Sequence, residues 1–309
     1  MNSDNATSGF DPAPARLTVG IVSAGRVGSA LGAALERAGH IVFGVCAISD
    51  ASVRRARTRL PDSEILPVEQ VAARSELLLL AVPDTELPGL ARGLASAGVV
   101  RPGTIVAHTS GANGVGVLAP LTEIGALALA IHPAMTFTGH DEDVTRLGNA
   151  CFGITAADEV GYAIAQSLVI EMGGEPVRVP EAHRPLYHAA LAHGSNHLVT
   201  VIVDAVAALR AALAGPGLIG QQVVDDQPGG LAERLLAPLA SAALDNALRR
   251  GQSALTGPVA RGDAEAVAAH LDALASVEPR MAEAYRALSL RTAERAGTAP
   301  AVIELLEGH

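Results

Sequence analysis

The chain contains no lysine: all 22 of its basic residues are arginine. That removes every mechanism built on a lysine acid or a Schiff base. Tryptophan is also absent and aromatic residues make up only 2% of the chain, so its interior must be filled by aliphatic side chains. Much of the apolar content is alanine, which favours helix. No Lys/Arg-rich run offsets the formal net charge of −10. Nucleic acids and anionic membranes both require clustered positive charge, which leaves a small molecule as the expected ligand class. The two cysteines, Cys46 and Cys151, stand far apart in apolar stretches. This suits free thiols in a reducing compartment rather than a disulfide frame, and the cytoplasm is the expected location. The longest apolar stretch, Leu198 to Leu213, is interrupted by Asp204 and Arg210, so no membrane span is expected. Residues Met1 to Ala15 have neither a basic start nor an apolar segment and read as a polar tail rather than a signal peptide.

A length of 309 residues suits two domains, with a ligand cleft expected between them. From Arg16 short apolar runs alternate with amphipathic stretches: Leu17–Val22, Ile41–Ile48, Leu77–Val82, Thr104–Ala107, Ala126–Ile131, Phe152–Ile154 and Pro176–Val179. Runs apolar throughout their length predict a parallel sheet covered on both faces, so residues 16–180 read as a doubly wound α/β domain. Beyond Pro180 the strand signals stop. Leu186–Leu213, Leu231–Arg250, Ala264–Ala275 and Pro279–Ala296 show helical spacing, so residues 181–309 read as an all-α domain. Two breaks interrupt it, Gly215-Pro216-Gly217 and the segment from Leu255 to Asp263. The second break is rich in Gly and Pro and reads as a functional loop or a tight connection.

The stretch Val22-Ser23-Ala24-Gly25-Arg26-Val27-Gly28 follows the first strand and opens a helix. Dinucleotide-binding turns need small residues there, because backbone must approach a pyrophosphate and free helical N–H groups must point at it. Gly25 and Gly28 match the second and third glycines of that fingerprint, and Ser23 replaces the first. The end of the second strand carries Ser49 rather than an acid, with Arg54, Arg55 and Arg57 following. This favours the 2′-phosphate of NADP, while Asp50 keeps NAD open. Val82, Pro83 and Asp84 end another strand on the ligand side and are expected to line the cofactor.

Six histidines fall between His108 and His197. With no lysine available, histidine is the expected proton donor. His108 and His132 both end strands, and Ser110 with Gly111 offers a hydroxyl and an N–H to a substrate carboxylate or else caps a turn. On the long helix His193, Asn196, His197 and Thr200 share one face. His193 and His197 have the spacing of a metal pair, but no HExxH pattern accompanies them, and no metal is expected.

Taken together, Ser23–Gly28, His108-Thr109-Ser110-Gly111, His132–Phe137, Tyr187–Ala190, Ser195-Asn196-His197 and Leu255–Asp263 resemble the bacterial family that joins a Rossmann-like domain to domain of unknown function 2520. That family is similar to the superfamily of 6-phosphogluconate dehydrogenase, β-hydroxyacid dehydrogenases, ketopantoate reductase and pyrroline-5-carboxylate reductase. The resemblance implies an NADP-dependent reductase with a helical second domain of the 6-phosphogluconate dehydrogenase type, a homodimer, and a small 2-oxo acid such as ketopantoate as substrate. Ser110 and Arg261 are then expected to hold the carboxylate, His193 or His132 to protonate the product, and Asn196 to orient the carbonyl. The superfamily's lysine–asparagine pair is not reproduced: with Asn196 in the second place, the first is Ala192. An imine reductase and a non-catalytic dinucleotide sensor are the alternatives.

Overall fold

In the computed structural model, which describes residues 16–214 and 229–308, the apolar runs pair into one eight-stranded sheet. The expected tail and the Gly215-Pro216-Gly217 break lie outside the described residues. The elements of the first half are β1 (Thr18–Val22), α1 (Arg26–Arg37), β2 (Ile41–Cys46), α2 (Asp50–Arg59), β3 (Glu64–Ile65), α3 (Val68–Arg74), β4 (Leu77–Leu80), α4 (Leu87–Ser96), β5 (Ile105–His108), α5 (Ala119–Thr122), β6 (Leu127–Pro133), α6 (Glu142–Leu147), β7 (Cys151–Ala156), α7 (Glu159–Glu171) and β8 (Glu175–Arg178). There follow α8 (Arg184–Leu213), α9 (Leu231–Arg250), α10 (Gly257–Arg261), α11 (Ala264–Val277), α12 (Pro279–Ala296) and α13 (Pro300–Glu307).

The strand order is β3-β2-β1-β4-β5-β6-β7-β8, so the direction of winding reverses between β1 and β4. In open α/β sheets that reversal opens a ligand crevice beyond the carboxyl ends of the strands. On one face Leu31 and Leu35 of α1 share a core with Leu129 and Phe152 of the sheet; on the other Leu94 of α4 and Leu121 of α5 share one with Leu78 and Leu80. Burying each such side chain contributes roughly 1.5–3 kcal/mol.

The sheet departs from the all-parallel expectation at one place: β7 runs antiparallel to β6, with His132 opposite Gly153. After the short α6 the chain re-enters the sheet at the edge where β6 leaves it. Both strands are buried, so their apolar runs carry no mark of direction.

The chain divides into two compact units, the first ending at Ala192 and the second beginning at His193. The start of α8, from Arg184 to Ala192, thus belongs to the sheet unit. The second unit is entirely helical among its described residues, with a core of Val259, Val267, Leu271, Ala293, Val302 and Leu306. The segment from Leu255 to Asp263 holds the short α10, ended by Gly262 in the left-handed conformation at φ 79°.

Candidate active site

β1 delivers the glycine turn to the carboxyl edge of the sheet. Ser23 has φ 77°, a left-handed conformation shared by no other non-glycine among the described residues. It occupies the place where the fingerprint has glycine, and its N–H donates to the Cys46 carbonyl at the end of β2 (3.0 Å). Gly28 is required by packing, because a β-carbon there would collide with the Ser23 carbonyl and approach Ala81 to 2.9 Å. At Gly25 the same atom would meet only Ser23 Oγ, at 3.5 Å. Gly25 is the N-cap of α1 and no side chain caps that terminus, so the first N–H groups are left for an external acceptor. Open space over an uncapped helix start fits the pyrophosphate of a dinucleotide. Ala24 is buried, Val27 half-buried and Arg26 exposed, the last beside Gly139. Val82 and Asp84 are half-buried and Pro83 exposed where β4 ends. Ser49 caps α2, accepting from the Ser52 N–H (3.2 Å), and Arg54 is exposed on the same helix.

His108 is fully buried and both ring nitrogens are used by backbone. Nε2 donates to the Gly114 carbonyl (2.9 Å) and Nδ1 accepts from the Ser110 N–H (3.2 Å). Burial pushes its pKa down to about 4, so it is a neutral structural group rather than one facing a cleft. Ser110 Oγ accepts from the Asn113 N–H (3.0 Å) and side-chain amide (2.9 Å), which caps the turn and leaves only its own proton to offer.

His132 sits differently. Its Nδ1 lies 2.9 Å from the Tyr187 hydroxyl, with Tyr187 and His188 both edge-on to its ring. Burial, then the positive charge of Arg184, hold its pKa down to about 4, against the opposing pull of Asp84. Burial raises the pKa of Tyr187. Both groups are therefore neutral near pH 7 and share one hydrogen bond. Two glycines make room for them. A β-carbon at Gly111 would crowd His188 and His132, and one at Gly153 would lie 2.6 Å from the Tyr187 oxygen.

Arg184 locks this cluster in place. Its side chain is wholly buried; Nε donates to Thr155 Oγ1 (2.8 Å), Nη1 to the Ser110 carbonyl (3.3 Å), and Nη2 to the carbonyls of Ala130 (3.1 Å) and Gly153 (2.9 Å). One guanidinium thus ties β6, β7 and the turn after β5 to the first turn of α8.

Of the expected site residues, Ser110 and His132 come together in the first unit. His193, Asn196 and Arg261 belong to the second, where all three are exposed and His193 Nδ1 bonds His197 Nδ1 (2.8 Å). Sequence reasoning missed Tyr187, Arg184 and Gly153. The only signal for Tyr187 was its place in the Tyr187–Ala190 motif.

Comparison with solved structures identifies the fold. A Bacteroides fragilis protein with a provisional NADP oxidoreductase assignment matches with a TM-score of 0.73 and 19% identity, over 90% of this chain and 98% of that one. A reductive aminase from Aspergillus terreus, solved with NADPH4, cyclohexanone and allyl amine, matches at 0.63 and 16%, over 94% and 98%. A Streptomyces aurantiacus imine reductase matches at 0.62 and 16%, over 94% and 100%. No curated protein sequence matches the chain. Among family models, a Rossmann-like domain matches residues 1–133 and a domain of unknown function, DUF2520, matches residues 150–292. The chain belongs to the family that joins these two domains.

Proposed function

We propose that the protein is a nicotinamide-dinucleotide-dependent reductase of a small substrate bearing a C=O or C=N bond. The observation that carries this reading is the neutral His132–Tyr187 pair, hydrogen-bonded at 2.9 Å, on the same edge of the sheet as the open, uncapped glycine turn. Ser23 to Gly28 and Val82 to Asp84 would hold the dinucleotide, which when bound supplies a hydride. The proton that balances it comes from the Tyr187 hydroxyl, with His132 Nδ1 accepting from or returning to that oxygen. Arg184, 5.7 Å from the Tyr187 ring, opposes the effect of burial on the phenol and favours release of its proton. In this reading His132 with Tyr187 takes the acid's role, and His193 is engaged with His197.

A 2-oxo acid such as ketopantoate is the first substrate we propose, with Ser110 binding its carboxylate. The named activities of two structural neighbours support a cyclic or open-chain imine as the second reading. The two differ in proton demand, since a protonated C=N arrives with its own proton and a ketone does not. Tyr187→Phe should lower kcat on a ketone by roughly 10²-fold or more, with dinucleotide affinity within twofold of the native protein and a smaller loss on an iminium substrate. An unchanged kcat on every substrate would remove Tyr187 from the chemistry.

A further inference from the structure

His193 and His197 stand four residues apart on α8, a spacing that the proposed chemistry does not use. The missing HExxH pattern removes the metalloprotease arrangement but not a plain pair of ligands. Residues at i and i+4 share one helix face, and these two rings converge. His193 Nδ1 and His197 Nδ1 are 2.8 Å apart, with the ring centroids at 5.0 Å and the planes at 84°. Both residues are exposed, and no other hydrogen bond reaches either ring among the described residues. Gly194 adds no side chain, and a β-carbon there would meet open space, so the approach to the pair is clear. No neighbouring cation on the helix repels an arriving ion, since α8 carries no arginine between Arg184 and Arg210. The chain as a whole has a formal net charge of −10.

Two neutral imidazole nitrogens suit borderline divalent transition ions. With metal–nitrogen bonds of about 2.0–2.1 Å, the 2.8 Å separation subtends about 85–90° at the ion. That is the angle between neighbouring positions of a square or an octahedron, whereas tetrahedral zinc needs the nitrogens about 3.3 Å apart. No third His, Cys, Asp or Glu completes a cluster with them among the described residues. We propose that His193 and His197 form a bidentate site for a divalent transition ion that takes right-angled coordination, Cu²⁺ or Ni²⁺, with its other positions open to water or a small ligand. The proton of the bond between the rings moves to the outer nitrogen of its own ring, so that both Nδ1 lone pairs face the ion and both rings stay neutral. This site stands apart from the reductase reading and does not depend on it.

Calorimetric titration of the purified, untagged protein with nickel chloride tests this, with copper and zinc salts in parallel. One Ni²⁺ should bind per chain. His193→Gln and His197→Gln should each weaken it tenfold or more, while His140→Gln, at an exposed histidine elsewhere, should alter it less than twofold. Copper should bind more tightly than nickel and zinc less tightly. The electron spin resonance of bound copper should show two imidazole nitrogens in the native protein and lose that signature in either variant. Binding that survives both substitutions would mean adventitious capture by other histidines and overturns the proposal, as does the absence of saturable binding to the native protein. Zinc held more tightly than nickel overturns it too, because the nitrogens would then have opened to tetrahedral spacing.

Discussion

Gly25 and Gly28 stand three residues apart in one turn, yet a methyl group would meet open space at the first and the Ser23 carbonyl with Ala81 at the second. Gly25→Val should therefore leave the melting temperature within about 2 °C of native while weakening dinucleotide binding at least tenfold. Gly28→Ala should instead cost roughly 1–3 kcal/mol of stability, in the range for overpacking a full site. The reverse pattern would show that the turn is misassigned. His108 and His132 make a second prediction at this scale. Both have folded pKa values near 4, below the unfolded value near 6.5, so the unfolded chain binds the extra protons between those limits. Their contribution is complete above about pH 6.5 and is lost as pH falls towards 4. Thermal unfolding should show a falling Tm between pH 6.5 and 4.5, a window above the titration of most carboxylates; a flat Tm there would contradict their burial as neutral groups. The glycine turn and His132 were legible in the sequence because small residues after a strand and a histidine at a strand end are local signals. Tyr187, Arg184 and Gly153 were not, because their roles arise only when the start of α8 reaches strands 29 to 55 residues earlier in the chain, and no periodicity encodes that meeting.

Helix α9 shows where element-level reading succeeds and what it leaves open. Its bounds match the expected Leu231–Arg250, yet only Ala232 is buried, while Leu235, Leu239, Leu244 and Leu248 are 46%, 70%, 48% and 80% exposed. Apolar surface of this extent needs covering. Val201 and Val203 on α8 are 41% and 59% exposed in the same unit. These faces support the homodimer we propose: a second copy is the occupant the family resemblance implies. Sedimentation should give the mass of two chains, and Leu239→Asp with Leu248→Asp should reduce it to one; a monomeric native protein would contradict the proposal. The shorter elements escaped the sequence for physical reasons. β3 is two exposed residues with no alternation to detect, and α10 begins with Gly257 and Pro258, residues that read as a break although Pro suits a helix's first turn.

Across the whole molecule, the reversal of winding between β1 and β4, the uncapped start of α1 and the Arg184-clamped pair of His132 and Tyr187 lie on one edge of one sheet. Fold alone does not assign chemistry, since related sheets carry unrelated functions; the claim of reduction rests on a hydride-supplying cofactor meeting a proton-supplying pair. The most direct test is oxidation of NADPH, followed by absorbance with NADH in parallel, by the purified protein against ketopantoate, other branched 2-oxo acids and pyrroline-5-carboxylate. The account predicts turnover on one of these classes that falls sharply in Tyr187→Phe. Tight dinucleotide binding without oxidation by any of them would contradict it and favour a dinucleotide sensor.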